Sequence, residues 1–323
     1  MLHRRDGRST TAHPHRQRAD IDIARFTTSW LVSPFLLSTL RASISLYAFV
    51  VLLTIIGHDR SRGADATVRR SFSYFTVLTY WGLAFYFAFA AAHTASYALQ
   101  GRSYLQRWPV ALQRLHAVFY CTITVYPFLV TSKQFRPPLP RPALLVFLAG
   151  APTLILIPPG AVVFWSVLSY GALKTRYSTW SNISEHTLNS AFALFEIALP
   201  RTEPPRFVHI VPLLLLLALY LALAYTTYAT AGIYVYVFLN PRAIGAGGVA
   251  GAVVGIAAAA VLLFLVVRYL IKFRLWVTED RPGSAIRASA NADAVHASAC
   301  DDVGLAMGNV GTRPRESRGV LPL

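Results

Sequence analysis

Residues 209–239 read HIVPLLLLLALYLALAYTTYATAGIYVYVFL, a run without a single Asp, Glu, Lys or Arg. About 20 apolar residues of α-helix cross a hydrocarbon core of ~30 Å, so this run is long enough to span a bilayer. Asn240-Pro241-Arg242 behind it is a turn signal. Working outward, further spans are predicted at about Trp30–Ile56, Tyr74–Leu99, Val110–Val130, Ile183–Leu199 and Gly245–Leu270. Pro34 falls in the first turns of its span, where proline is tolerated. Arg41 interrupts the same span and either snorkels or faces the bundle interior. The last span is lined with small residues that allow close helix packing, and Lys272 and Arg274 mark its interfacial end.

Composition agrees with this pattern. Of 323 residues, 55% are hydrophobic and 14% charged, against about 25% charged in soluble domains, and the mean hydropathy is +0.47. The predicted fold is all-α: a polytopic transmembrane helical bundle of about six helices with disordered N- and C-terminal tails. A basic disordered arm occupies 1–28, the transmembrane helical domain 29–276, and a tail rich in Ala, Ser, Gly and Arg 277–323. An even number of spans and basic residues at both ends predict that both ends are cytosolic. One stretch, 131–161, breaks the pattern. It holds Pro137, Pro138, Pro140 and Pro142, then the apolar run Ala143–Ile157, then Pro158-Pro159-Gly160. Prolines at both ends make it a poor spanning helix, so it reads as a re-entrant or interfacial piece, or as an insertion.

The formal net charge of +16 invites a nucleic-acid partner. The excess lies instead in the tails and loop ends, where basic residues meet anionic lipid headgroups, so membrane lipid is the predicted partner and nucleic acid is not. Cys121 and Cys300 lie in unlike contexts and imply neither a disulfide framework nor a metal site. The chain has no Gly-rich phosphate loop, zinc spacing or serine elbow, and no cofactor is expected.

Polar residues at membrane depth are costly and often functional. Asn182, His186, Asn189 and Glu196 are spaced by four, three and seven residues, which puts them on one helix face. Interhelical hydrogen bonding alone accounts for such a stripe, and for Asn189 taken singly that bland reading is favoured. A second cluster opens the Tyr74–Leu99 span, where Thr76 and Thr79 lie one turn apart and Tyr86, His93 and Tyr97 follow. A lone threonine in a membrane helix usually bonds the carbonyl one turn back. His93 stands ~25 Å along the helix from Thr76, which assigns it to packing or to the interface. Asn182-Ile183-Ser184 matches a glycosylation sequon, but it abuts an apolar helix and is discounted. A membrane-embedded threonine and histidine are then the available nucleophile and base.

Three blocks resemble the androgen-induced, FAR-17a-like family of multi-pass membrane proteins. The first is Tyr74-Phe75-Thr76 with Leu78, Leu83 and Tyr86. The second is Trp180, Asn182, His186, Thr187, Phe192 and Glu196. The third is Gly232-Ile233-Tyr234-Val235-Tyr236-Val237-Phe238-Leu239. Their order and spacing agree over roughly 30–270. Where the family pattern has a histidine shortly before the third block, this chain reads Tyr228-Ala229-Thr230. Relative to the pattern, 131–161 is an insertion, in keeping with translated intron or other gene-model error. Known members include threonine hydrolases of fatty-acid esters of hydroxy fatty acids. The resemblance therefore implies Thr76 as nucleophile and His186 as general base acting on a lipid ester. Asn182, Asn189 and Glu196 are supporting candidates; the shared helix face lets Glu196 or Asn189 either orient the imidazole or hydrogen-bond nearby backbone. The endoplasmic reticulum is the expected membrane. A non-enzymatic reading, a small transporter or a lipid-binding scaffold, stands beside it.

Overall fold

The computed structural model describes residues 22–130 and 175–280. Six long helices run through them: α1 (Pro34–Ser61), α2 (Phe75–Gln100), α3 (Val110–Val130), α4, α5 (Ile210–Ala231) and α6 (Pro241–Leu275). α4 has three parts: Arg176–Asn182, a π-helical segment Ile183–Leu188, and Asn189–Ala198. Among the described residues there is no strand; one isolated bridge pairs Ser29 with Pro200. The fold is all-α, as the hydropathy pattern predicts.

Local chemistry sets the helix ends. Ser33 accepts from the Leu36 N–H, with Pro34 in the first turn of α1. Gly232, at φ +68°, caps α5 in the left-handed region, which a side chain with a Cβ disfavours. The fifth span therefore stops at Ala231 rather than at Leu239, and a 3-10 turn, Val237–Leu239, precedes α6. Asn240 caps α6 by accepting from the Arg242 N–H at 2.9 Å, and Gly245, at φ +73°, interrupts its helical backbone. The small-residue stripe of α6 does not pack as predicted. A Cβ added at Gly247, Gly251 or Gly255 would meet nothing within 4 Å.

Four helical stretches are long and apolar enough to cross a membrane: Pro34–Ser61, Phe75–Gln100, Phe207–Ala231 and Pro241–Asp280. Large apolar side chains on them point outward; Phe35, Leu46 and Val254 are 68%, 66% and 67% exposed. An apolar mantle of this kind is unstable in water and natural in lipid, and the chain is an integral membrane protein.

Contacts along α1 fix the directions of its two partners. α1 and α2 are antiparallel: the Ser38 hydroxyl donates to Ala91 O at 3.0 Å and the Ser45 hydroxyl to Ala84 O at 2.9 Å. α1 and α4 are also antiparallel, with Arg41 on Glu196 and the Tyr47 hydroxyl 2.8 Å from that of Ser184. Hence α2 and α4 run parallel. Both ends of the described chain meet on one face, where Arg25 donates to both oxygens of Glu279 (2.9 and 2.8 Å) and Arg201 Nε donates at 3.1 Å.

These contacts move two boundaries. Residues 22–28 belong to the helical domain and not to the arm: Phe26 and Thr27 are buried, and Phe26 packs edge-on against His116 and Tyr120. Residues 277–280 continue α6 as a π-helical turn, Trp276–Asp280, that carries Glu279. The rest of both tails and the stretch 131–161 lie outside the described residues.

Arg41 faces the interior and is wholly buried. Its Nε donates to Glu196 Oε2 at 3.1 Å and its Nη2 donates to Glu196 Oε1. Nη1 donates to Phe26 O at 2.8 Å and to the Thr94 hydroxyl at 2.6 Å, while the Tyr86 hydroxyl donates to Glu196 Oε1 at 2.8 Å. Breaking one side of a buried pair strands a charge and costs about 3–5 kcal/mol. Arg41→Met or Glu196→Gln is therefore expected to lower the melting temperature sharply in detergent, and the double replacement to recover much of the loss. Equal and additive losses in a double-mutant cycle would contradict the pairing.

Candidate functional site

Thr76 sits in the first turn of α2, and its surroundings come from α5 and the α5–α6 connection. The Phe75 N–H, which has no partner within the helix, donates to the Tyr236 hydroxyl at 3.2 Å. Thr76 is the next residue along that turn. The Tyr220 hydroxyl donates to Ser73 O at 2.9 Å, and the Thr227 hydroxyl meets that of Ser73 at 3.1 Å. Aromatic rings close the corner: Phe75 lies against Tyr126 (5.2 Å) and Tyr220 (4.8 Å), and Tyr236 stacks on Phe238 (5.0 Å). Burial raises the Tyr236 phenol above its ordinary pKa, against the lowering effect of its hydrogen bonds. At neutral pH it stays protonated and can both donate and accept.

His186 lies in the π-helical segment of α4, with 5% of its surface exposed. A π-turn re-aims side chains within a continuous helix and is frequent at functional sites. Thr76, Tyr80, Leu83 and Phe87 recur at i, i+4, i+7 and i+11 along one stripe of α2. That stripe faces α4, because the Phe87 ring packs against Phe192 (6.4 Å) and Phe195 (6.1 Å). Tyr80 is within electrostatic reach of Tyr47 and of Glu185, the residue before His186. Thr76 lies one turn before Tyr80 on that stripe, and His186 is buried in the π-helical segment of the parallel helix α4.

The three supporting residues fare differently. Asn182 donates from Nδ2 to Ser178 O at 2.7 Å, one turn back on its own helix. Glu196 does not orient the imidazole. It follows His186 by ten residues, ~15 Å of helix, and its carboxylate is taken up by Arg41 and Tyr86. Asn189 is fully buried, and neither its Oδ1 nor its Nδ2 has a hydrogen-bond partner, so it does not hold the imidazole either. His93 is a packing residue, wedged edge-on against Trp108 (4.7 Å) and His116 (5.4 Å).

Tyr236, Tyr80 and Arg41 surround the site or its frame, and sequence reasoning gave none of them a place in it. Tyr236 was legible only as part of the third block, since nothing in a linear pattern shows that the α5–α6 connection folds back over the start of α2. A separate cleft of 370 Å³ opens at the other end of the bundle, lined by Arg114, Val118, Arg206 and His209. Among the described residues no three His, Cys, Asp or Glu side chains converge as metal ligands. No protein-family model, curated protein or solved structure matches the chain.

Tyr236→Phe removes the acceptor of the Phe75 N–H while keeping the ring. Loss of one such bond costs about 1 kcal/mol. A melting temperature lowered by a few degrees is expected, with faster amide exchange confined to the first turn of α2. Unchanged exchange there would show that Tyr236 does not anchor that turn.

Proposed function

We propose that the chain is an intramembrane hydrolase of lipid esters with Thr76 as nucleophile and His186 as general base. The observation that carries this reading is the convergence of the three blocks on α2. Tyr236 of the third block reaches the turn that holds Thr76, and Glu196 of the second block accepts from Tyr86 of the first. Blocks far apart in sequence and joined in space are what the resemblance to the androgen-induced family requires.

In the proposed reaction His186 takes the proton of the Thr76 hydroxyl as the oxygen attacks the ester carbonyl carbon. The leaving alcohol takes that proton from His186 as the ester C–O bond breaks, which leaves an acyl-threonine. Water, deprotonated by the same imidazole, attacks the acyl carbon and releases the fatty acid and the free threonine. The apolar interior between α2 and α4 suits a substrate that enters sideways from the bilayer, and low polarity strengthens each hydrogen bond made to the developing oxyanion. Glu196 acts here as frame and not as chemistry. The working location is the endoplasmic reticulum membrane, with both chain ends in the cytosol.

An activity-based fluorophosphonate is expected to label the purified protein, and Thr76→Ala and His186→Ala each to abolish labelling while the melting temperature stays near that of wild type. Absence of labelling in well-folded wild type would favour a transporter or a lipid-binding scaffold.

A further inference from the structure

The interface between α2 and α4 contains polar atoms that the fold leaves unanswered. Tyr80 is fully buried and its hydroxyl has no hydrogen-bond partner. Asn189 is fully buried with both carboxamide atoms unpartnered. In an apolar medium each such group costs free energy that folding does not return, and most buried polar side chains in native proteins are satisfied. Two in one interface mark a place where something other than the protein completes the bonding.

The two groups share that interface for geometric reasons. Tyr80 stands on the stripe of α2 that faces α4, one turn beyond Thr76, and it is within electrostatic reach of Glu185. Asn189 follows Glu185 by four residues, so the two lie on one face of α4 whether the turn between them is α or π. Ser184, by contrast, is satisfied: its hydroxyl meets that of Tyr47 at 2.8 Å and donates to Trp180 O at 2.8 Å. Ser190 is satisfied as well, donating to Pro127 O at 3.3 Å. Bonded neighbours thus flank Asn189 on α4, while Trp81 Nε1 and both His93 ring nitrogens on α2 and Thr187 Oγ1 on α4 are further buried atoms without a hydrogen-bond partner.

We infer that Tyr80 and Asn189 form the polar end of an internal lipid site and bind the carbonyl oxygen of an acyl ester between α2 and α4. The Tyr80 O–H and one Nδ2–H of Asn189 donate to that oxygen. Asn189 Oδ1, an acceptor only, takes a hydrogen bond from the water that attacks the acyl group or from the leaving alcohol. The ligand is the substrate class of the proposed hydrolase, and in that respect the inference rests on that reading. Donors at the carbonyl oxygen would hold it through the change to an oxyanion, with the carbonyl carbon directed toward the Thr76 turn.

The test separates a ligand site from a structural role. Asn189→Leu removes the unanswered amide while keeping the number of side-chain heavy atoms, and Tyr80→Phe removes the hydroxyl alone. Without lipid, the melting temperature of Asn189→Leu in detergent is expected to rise by a few degrees and that of Tyr80→Phe to hold or rise. A fatty-acid ester of a hydroxy fatty acid is then titrated against wild type, against Thr76→Ala to prevent turnover, and against each variant in the Thr76→Ala background. The ester is expected to raise the melting temperature of wild type and of Thr76→Ala, with at least a tenfold weaker midpoint in both double variants. A lipid-free Asn189→Leu protein that melts lower than wild type would overturn the inference, because the amide would then be bonded within the protein. An unchanged ester midpoint in both double variants would overturn it too, even if the fluorophosphonate labels Thr76. Weakened midpoints without labelling would leave the site standing and remove the hydrolase.

Discussion

A charged pair in the middle of an apolar bundle constrains everything around it. Arg41 and Glu196 are both fully buried, and neither would be tolerated at that depth alone. Their charges are matched by a fork-to-carboxylate contact, and the remaining capacity is used by Phe26 O, Thr94 and Tyr86. Those partners come from the N-terminal segment, α1, α2 and α4. A displacement of any one of them would leave a charge or a donor without a partner in a medium that offers no water. Four elements are held in one mutual register by one network.

That register has a consequence ten residues away. α4 runs parallel to α2 because both run antiparallel to α1, and the Tyr86–Glu196 bond ties them at one end. Beyond that bond the two helices meet through Phe87 of α2 against Phe192 and Phe195 of α4. The π-helical segment Ile183–Leu188 precedes that stretch of α4. It changes which side chains face α2 without ending the helix. The start of α2 is held independently by Tyr236, Tyr220 and Thr227, so the two halves of the candidate site have separate supports. Glu196, which the spacing joins to His186, works at the supporting end, and its effect on the site is indirect.

The polar groups inside the bundle fall into two kinds. Arg41, Glu196, Tyr86, Thr94 and Ser184 are bonded to one another or to backbone and belong to the frame. Tyr80 and Asn189 are buried to the same degree and bonded to nothing. Composition cannot separate these kinds, since Asn and Tyr serve both. The difference lies in whether a complementary atom from another helix stands opposite, and that is a property of the packed bundle.

Hydropathy and periodicity by themselves determined the helical membrane fold and the placing of its long helices, while the candidate pair Thr76 and His186 came from the family resemblance. The fold and its helices depend on local quantities: the length of an apolar run and the spacing of polar residues within one helix. Tertiary structure alone decided that Arg41 faces inward, that Glu196 answers Arg41 rather than His186, that residues 22–28 pack into the bundle, and that Tyr236 returns to the start of α2. Those facts depend on contacts between residues as far apart as Arg41 and Glu196 or Phe75 and Tyr236. A helix face shows where a side chain is aimed, but its partner is set by the rotation and register of the opposing helix, which no single segment encodes.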